Sequence, residues 1–472
     1  MPILVAGVDS STQSTKVIVC DAATGEVIRE QRAAHPDATE VDPALWWGAY
    51  EEAVAGGLLD GVSAIAVAGQ QHGMVVLDDT REVVRPALLW NDTRSAGAAT
   101  ELVTELGGGR VWADAVGTVP LASITVSKLR WLAEQEPEAA ARVRTVLLPH
   151  DWLTAKIVGS GELAGVRLVT DRGDASGTGY WSPHEERYRT DLLELGLGRV
   201  PDLPDVLGPA EAAGTTAGGL LVAAGTGDNM GAALGLGLGP GDIVVSLGTS
   251  GTVFGVSESS TADPTGLVAG FADATGRFLP LVCTLNAARV LTSAAVMLGT
   301  DLAGLERLAL TAAPGAGGLS LLPYLDGERT PDLPAATGTL GGMTRANMTP
   351  ENLARAAVEG MLCGLADGLD ALRDNGVPVQ RILLIGGAAR STAVQAVAAG
   401  IFGAPVEVPD PGEYVALGAA RQAAWALAAS RGEAPEPPVW GLRSRPLPAS
   451  EGDWAADVRA AYGQLRHTVH GL

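Results

Sequence analysis

The sequence contains few cysteines, lysines and aromatic residues, and each scarcity excludes a class of protein. Three cysteines, at positions 20, 283 and 363, are too far apart in the chain to form a disulfide framework or a zinc site, and they indicate a reducing compartment. Lysine occurs only at positions 16, 128 and 156 and never follows a glycine, so the Gly-Lys-Ser/Thr signature of a P-loop is absent. Aromatic residues make up 4% of the chain, so its cores must consist mainly of Ala, Val and Leu.

Basic residues are also in deficit, with 32 Lys and Arg against 54 Asp and Glu and a net charge of -22. Such a field repels nucleic acid and anionic membranes, and it requires that any bound ATP be held by a metal ion and backbone amides. No apolar run is long enough for a membrane span. The apolar start of the chain ends at Asp9 without a basic region before it, which is typical of a strand rather than a signal peptide. We therefore expect a cytoplasmic protein that binds neither nucleic acid nor membrane.

Two hairpins of one design stand far apart in the chain. The first has apolar strands at 3–8 and 17–20, and the second has them at 243–247 and 253–256. Both turns are rich in hydroxyl side chains. Aligning the turns places Asp9 on Ser246, Thr12 on Thr249 and Thr15 on Thr252. A repeat of this kind in 472 residues predicts an internal duplication, with two related α/β domains at 1–238 and 239–472 and a ligand in the cleft between them.

The glycine-rich segment 225–231 contains one carboxylate, Asp228, followed by Asn229. It lies between an apolar strand at 220–224 and a helix of small residues at 230–236. A carboxylate at the carboxyl end of a strand in an α/β domain points into the ligand crevice, which favours a catalytic acid or base. The alternative is an ordinary Asx-turn.

Four further turns carry polar groups or glycines that a ligand can use. The turn of the second hairpin, with Gly248, Thr249 and Ser250, offers amides and hydroxyls to phosphate, as does Thr12 in the first. Asp9 ends a buried strand, where a carboxylate is costly without a cation such as Mg²⁺. The other two turns follow apolar strands: Gln71 and His72 suit a polyol, and Gly386 and Gly387 let a flat ring approach the backbone. Close packing or a structural histidine explains these features equally well when each is taken alone.

Together these motifs resemble those of the FGGY family of carbohydrate kinases over nearly the whole chain, from Asp9 to about Ala420. Residues 123–135 fit the first signature of the family, and residues 338–359 fit the second. Segments 68–73, 89–94 and 322–331 with the Asp228-Asn229 pair are most similar to members that phosphorylate D-xylulose. Glycerol kinases carry an Arg-Glu pair in place of Gln71-His72.

The resemblance implies two duplicated actin-like (ribonuclease H-like) ATPase domains, and phosphoryl transfer from ATP with Mg²⁺ to D-xylulose in pentose catabolism. Another pentulose or polyol, such as ribulose or arabinitol, is the alternative substrate. A non-catalytic, actin-like nucleotide switch is the alternative class, and the sugar-contact set disfavours it. A homodimer is one arrangement that the resemblance leaves open.

The resemblance also assigns a role to each of the residues singled out above. Asp228 would be the catalytic base, and would bind the sugar together with Gln71, His72 and Asn229. The metal residue would be Asp9. The nucleotide contacts would be Thr12, Gly248, Thr249, Ser250, Gly386, Gly387 and Ser391.

The chain departs from the family pattern at three positions. Ser11 replaces the usual glycine of the first phosphate turn, which bears on the geometry of that turn. Ala388 replaces a common glycine of the adenosine motif, which implies a slightly different fit to the nucleotide. His150 stands where a lysine usually precedes Asp151.

Overall fold

The computed structural model describes residues 2–433 and 436–472. Within them the chain forms strands β1 to β24: Leu4–Ser10, Ser14–Asp21, Val27–Ala34, Glu40–Val41, Val62–Gly69, Val75–Leu77, Ala87–Leu88, Thr145–Leu147, Val169–Asp171, Trp181–Ser182, Arg187–Tyr188, Asp205–Leu207, Ala212–Thr215, Leu221–Ala223, Thr226–Gly227, Asp242–Leu247, Gly251–Gly255, Ala269–Ala272, Phe278–Thr284, Ser320–Leu322, Thr339–Gly341, Arg381–Ile385, Val406–Pro409 and Ser444–Pro446.

The same described residues form helices α1 to α15: Ala44–Ala53, Ala96–Leu106, Gly109–Val116, Thr125–Gln135, Pro137–Arg142, Pro149–Val158, Arg172–Ala175, Thr190–Leu197, Asp228–Leu236, Ala288–Met297, Leu302–Thr311, Pro350–Asp374, Thr392–Phe402, Tyr414–Ala429 and Trp454–His470. Short 3₁₀ helices occupy Ala55–Gly57, Ser176–Thr178, Ala316–Gly318 and Gly387–Arg390. Among the described residues, no single helix has both the length and the apolar character needed to cross a membrane; the bent pair α10 and α11 meets that criterion only jointly.

The chain divides into two compact units, and neither is continuous in sequence. Unit 1 comprises Met1–Leu238, Glu258–Leu279 and Pro411–Leu442. Unit 2 comprises Gly239–Ser257, Pro280–Asp410 and Arg443–Leu472. The division into domains at 1–238 and 239–472 stays a prediction.

Unit 1 is built on a sheet with strand order β13-β14-β5-β1-β2-β3, in which β15 also pairs with β5. The first hairpin is β1–β2, as predicted; β1 is antiparallel to β2 and parallel to β5. Helix α14 packs an alanine face on this sheet, with Ala416, Ala419, Ala420 and Ala423 buried against the alanines of β5. This core consists mainly of small aliphatic residues, as predicted.

Close helix contact positions the predicted catalytic segment. Helix α9 begins at Asp228 and packs on α14, where a Cβ added to Gly418 would lie 1.8 Å from the carbonyl oxygen of Gly231. Any side chain at position 418 would clash with this carbonyl, so only glycine allows the two helix backbones to pack this closely. The predicted strand at 220–224 and helix at 230–236 are both present, as β14 and α9.

Unit 2 contains a sheet with the order β19-β17-β16-β22-β23-β24. The second predicted hairpin is β16–β17, and β16 is parallel to β22. Both sheets therefore place an antiparallel hairpin beside a parallel strand, which agrees with the predicted duplication. The two sheets differ at one edge: β13 precedes its partner β14 in sequence, whereas β24 follows its partner β23.

Candidate active site

The residues with predicted sugar contacts follow β5 and β15 in unit 1. The hairpin and β5 pair so that Asp9 lies opposite Ala68, and the Gln70 amide donates to the carbonyl of Ser10. Strand β15 pairs with the same end of β5 and leads directly into Asp228, the first residue of α9. The carboxyl ends of parallel strands thus bring Asp9, Gln71 and Asp228 to one edge of the sheet.

Asp228 belongs to a hydrogen-bonded chain of polar side chains. Its Oδ1 accepts from the Asn229 backbone N–H at 2.7 Å and from the Asn229 side-chain amide at 2.8 Å. The same amide donates to Gln71 Oε1 at 3.1 Å. Three of the predicted sugar-contact residues are therefore in mutual contact.

The Asp228 carboxyl is poised to exchange a proton near neutral pH. Burial and the negative charges of Asp9 and Asp174 raise its pKa to about 7, despite the hydrogen bonds from Asn229, which lower it. A carboxylate with such a pKa is a stronger base than an ordinary surface Asp. Perturbed carboxyls of this kind are typical of functional sites.

His72 is held in a conformation that few non-glycine residues adopt. Its φ is 66°, and its Nδ1 donates to the carbonyl of Gly177 at 2.8 Å, which leaves Nε2 as the acceptor in the neutral ring. The ring also lies 5.4 Å from Phe271. Backbone strain of this kind persists where the surroundings enforce it, and it is frequent at ligand sites.

Asp9 lies next to the turn of the first hairpin, and little positive charge surrounds its carboxylate. Its carboxylate accepts a hydrogen bond from Ser11 Oγ and lies 3.8 Å from Lys16 Nζ, which also pairs with Glu413. Burial raises the pKa of Asp9 to about 6 despite the Ser11 hydrogen bond and Lys16. An anion that lacks sufficient positive charge fits the neighbourhood of a divalent cation.

The predicted first phosphate turn is held by His35, which lies outside the sequence motifs, and by Trp90, which belongs to the segment 89–94. His35 bonds the Ser11 carbonyl through Nδ1 and Thr15 Oγ1 through Nε2, each at 2.9 Å. Trp90 Nε1 donates to Thr12 Oγ1 at 2.8 Å. The Thr12 hydroxyl keeps its own proton for donation to another group. Ser11, in place of the usual glycine, holds the Asp9 carboxylate.

Apart from Thr12, which lies in unit 1, the predicted nucleotide contacts lie in unit 2, after β16 and β22. Gly248 to Ser250 form the three-residue turn of the hairpin, and Thr249 is exposed. Gly386 has φ +92°, and an added Cβ would lie 2.6 Å from the Leu247 backbone, so a close approach requires this glycine. Gly387 faces open space. Ser391 caps helix α13 by accepting from the Val394 N–H at 3.5 Å, which is a structural role.

Sequence reasoning missed a buried cluster of charged residues in unit 1. His150, one of the departures from the family pattern, contacts Asp151 and Asp174, with Asp171 nearby. The sequence feature that could have indicated the cluster is a pair of aspartates, Asp171 and Asp174, three residues apart at the end of a short strand. That pattern alone also fits a helix cap, and Asp171 does cap α7 by accepting from the Asp174 N–H.

Most of the chain matches known carbohydrate kinases. Residues 4–236 match the N-terminal domain of the FGGY family of carbohydrate kinases, and residues 243–427 match its C-terminal domain. The xylulose kinase of Streptomyces coelicolor is 49% identical over 439 residues, covering 90% of this chain and 88% of that protein. The xylulose kinase of Escherichia coli is 34% identical over 442 residues, covering 88% and 89%. The crystal structure of xylulose kinase from Bifidobacterium adolescentis superposes with a TM-score of 0.89 at 46% identity, covering 98% of this chain and 99% of that one.

Proposed function

Because this chain belongs to the FGGY family of carbohydrate kinases, we infer that it transfers the γ-phosphoryl group of ATP to D-xylulose, giving D-xylulose 5-phosphate and ADP. The observation that carries the inference is identity of 48–49% to xylulose kinases over 90% of the chain. The polar chain of Gln71, Asn229 and Asp228 supports it, because it supplies both sugar contacts and a base.

Asp228 is the proposed general base. Asn229 occupies Oδ1 with two hydrogen bonds, so Oδ2 is the atom that faces the primary alcohol of the sugar. An alcohol is far too weak an acid to ionise beforehand, and Asp228 therefore accepts its proton late, as the O–P bond forms. The reaction passes through a loose transition state, in which positioning and charge neutralisation supply most of the catalysis.

Gln71 and His72 orient the sugar. The Gln71 carbonyl is already engaged by Asn229, and His72 is fixed by Gly177, so both present defined hydrogen-bonding atoms. Hydroxyl groups of a pentulose can both donate and accept, which suits this mixed set.

The amides and hydroxyls of the turn at Gly248, Thr249 and Ser250, with the Thr12 hydroxyl, bind the phosphates in this proposal. Gly386 and Gly387 leave room for the adenosine, and Ser391 stabilises the helix that follows them. Asp9 holds Mg²⁺ through water, and the ion when bound neutralises phosphate charge. The buried, cation-deficient Asp9 carboxylate is the observation that fits such an ion.

We place the enzyme in the cytoplasm, because its three cysteines are buried and too far apart in the sequence to form a disulfide framework. The net charge of -22 disfavours nucleic acid and anionic membranes as partners. A homodimer stays a prediction from the family resemblance.

The substrate is tested by ADP release from the purified protein with Mg²⁺ and ATP across a panel of pentuloses and polyols. D-xylulose is expected to give the highest kcat/KM, with D-ribulose and the arabinitols well below it. A higher kcat/KM for any other sugar would reassign the substrate. ADP release that does not depend on sugar would contradict a sugar kinase.

A further inference from the structure

Four ionisable side chains form a buried cluster in unit 1 that the mechanism above does not use. In this buried acid cluster, His150 Nδ1 lies 2.7 Å from Asp174 Oδ2 and 3.2 Å from Asp151 Oδ1, and His150 Nε2 lies 3.9 Å from Asp171 Oδ1. Each of the four residues is at most 2% exposed. No substrate atom can reach them, so any role they have must act through neighbouring residues.

His150 lies between two segments that lead to the sugar contacts. A Cβ added to Gly69 would lie 2.8 Å from the His150 Cβ, and Gly69 precedes Gln71 by two positions. A Cβ added to Gly225 would lie 2.6 Å from His150 Cδ2, and Gly225 precedes Asp228 by three positions. The backbone side of His150 therefore packs on one segment and its ring on the other.

The aspartates that pair with His150 also contact residues close to the sugar contacts. Asp171 accepts a hydrogen bond from Thr226 Oγ1 at 2.8 Å, two residues before Asp228. Asp174 lies in α7, and the turn that follows α7 presents the Gly177 carbonyl that binds His72. The two segments with sugar contacts and the turn that holds His72 thus meet at the buried acid cluster.

The charge balance of the cluster depends on His150. Three carboxylates cannot remain ionised in a dry interior without a cation. Burial alone would lower the pKa of His150, but the charges of Asp151, Asp174 and Asp171 outweigh it and raise the pKa to about 10. The imidazolium form is therefore the one present at neutral pH.

We propose that the His150 imidazolium is a positioning residue for sugar binding, whose ion pairs with the cluster hold the segments that present Gln71, His72 and Asp228. The inference rests on the proposed function and deepens it. His150 contacts no substrate, and removing its charge removes the ion pairs that join the segments, because the buried carboxylates then take up protons. The site in unit 2 is expected to be unaffected.

The cluster also sets the protonation of the base. Asp174 is one of the two charges that raise the pKa of Asp228, the other being Asp9. The groups facing His150 are Asp151, Asp171 and Asp174, and the phenol of Tyr180 is in the field of Asp151 and Asp174. Loss of the Asp174 charge therefore lowers the pKa of Asp228. Loss of the imidazolium acts in the same direction, because His150 is what lowers the pKa of Asp174 and keeps that carboxylate ionised.

The first test compares His150→Gln, which removes the charge, with His150→Lys, which keeps a cation and has the residue usual in the family pattern. The Gln variant is expected to raise the sugar KM roughly tenfold or more, with the KM for ATP within about twofold of wild type. The Lys variant is expected to recover most of the loss. His184→Gln, at an exposed position, is the matched control. Equal sugar KM values in the Gln variant and wild type, or no recovery in the Lys variant, would overturn the proposal.

The second test is the pH profile of kcat/KM, which separates positioning by charge from simple loss of packing. The acid limb is expected to move to lower pH in Asp174→Asn and in His150→Gln, because Asp174 loses its charge in both, and to move no further in the double variant. An acid limb that stays in place or moves to higher pH in either single variant would contradict the electrostatic link. Circular dichroism and melting curves identify any variant that fails to fold.

Two other outcomes, a different preferred sugar and a metal ion bound at the cluster, can each be told apart from the proposed role of His150. If wild type prefers a sugar other than D-xylulose, the variants are compared on that sugar, so the test survives a reassignment of substrate. Elemental analysis of the dialysed wild-type protein covers the remaining alternative, because His150, Asp151 and Asp174 could also ligate a metal. A stoichiometric bound metal that is lost in His150→Gln would replace the imidazolium with a metal ion and overturn the proposal.

Discussion

The two sheets place one design of hairpin beside a parallel strand, yet the side chains at the two edges differ in kind. In unit 1 the edge carries carboxylates: Asp9 is the last residue but one of β1, and Asp228 follows β15 with the charge of Asp174 nearby. In unit 2 the corresponding hairpin position is Ser246, and Gly386 and Gly387 follow the strand beside it, β22. One edge suits a proton acceptor and a cation, and the other suits phosphate and a flat ring.

The difference shows how a duplicated scaffold can divide the work of one reaction. Carboxylates placed beside a polyphosphate would repel it, so the edge built from glycine and hydroxyl groups is the better phosphate site. A base needs a raised pKa, which the carboxylates of unit 1 produce by repelling one another and by burial. Neither edge could serve both tasks with the same residues.

The largest effect is expected on kcat, when the proposed base in unit 1 is removed. Asp228→Asn should lower kcat by about 10²–10⁴-fold, because the amide cannot accept the proton, while MgATP affinity measured by calorimetry stays close to wild type. Asp79→Asn, in an exposed turn, is the control. A variant that keeps more than about half of the wild-type rate would show that Asp228 is not the base.

The matching change in unit 2 should act on the nucleotide alone. Thr249→Val keeps the shape of the side chain and deletes one donor, at a cost of about 1–3 kcal/mol if that donor meets a charged oxygen. The expected result is weaker MgATP binding by titration calorimetry, with the sugar KM unchanged. Thr292→Val, exposed on α10, is the control. Unchanged ATP affinity together with unchanged kcat would remove the phosphate assignment from this turn.

The sugar edge is tested by His72→Ala. We expect the sugar KM to rise roughly tenfold and the ATP KM to change little, because the variant loses one polar contact that His72 makes only with the sugar. His184→Ala, at an exposed position, provides the comparison. Equal changes in both KM values would mean that His72 supports the fold through Gly177 instead of binding the sugar.

The smallest expected effect is on stability. The folded-state pKa of Asp228 is raised from 3.8 to about 7, so ionising it costs stability as pH rises from about 4 to about 7. Asp228→Asn should therefore be more stable than wild type at pH 8 by roughly 1–2 kcal/mol, and equally stable near pH 4. Melting temperatures at both pH values measure this. A variant that is less stable than wild type at pH 8 would contradict the raised pKa.

Local patterns were enough to predict the regular elements near the site. Apolar residues at helical spacing over 351–372, with Pro350 just before them, predict a helix, and the structure has α12 from Pro350 to Asp374 with Thr349 as its cap. The short apolar run before Gly386 predicts a strand, which is β22. The two hairpins were visible because each depends on residues close in sequence, and the duplication followed from comparing them.

The amino-acid sequence by itself determined the family, the hairpins and the identity of the lone carboxylate in a glycine-rich turn, because each of these is written in contiguous residues. Only the tertiary structure decided that His150, Asp171 and Asp174 meet, that His35 and Trp90 brace the first phosphate turn, and that Ser391 serves as a helix cap. These contacts join residues that, Ser391 apart, lie tens of positions apart, and their energies depend on burial. A pKa of about 7 for Asp228 arises in the same way, from desolvation and the charges of Asp9 and Asp174, which lie far away in the sequence and close in the fold.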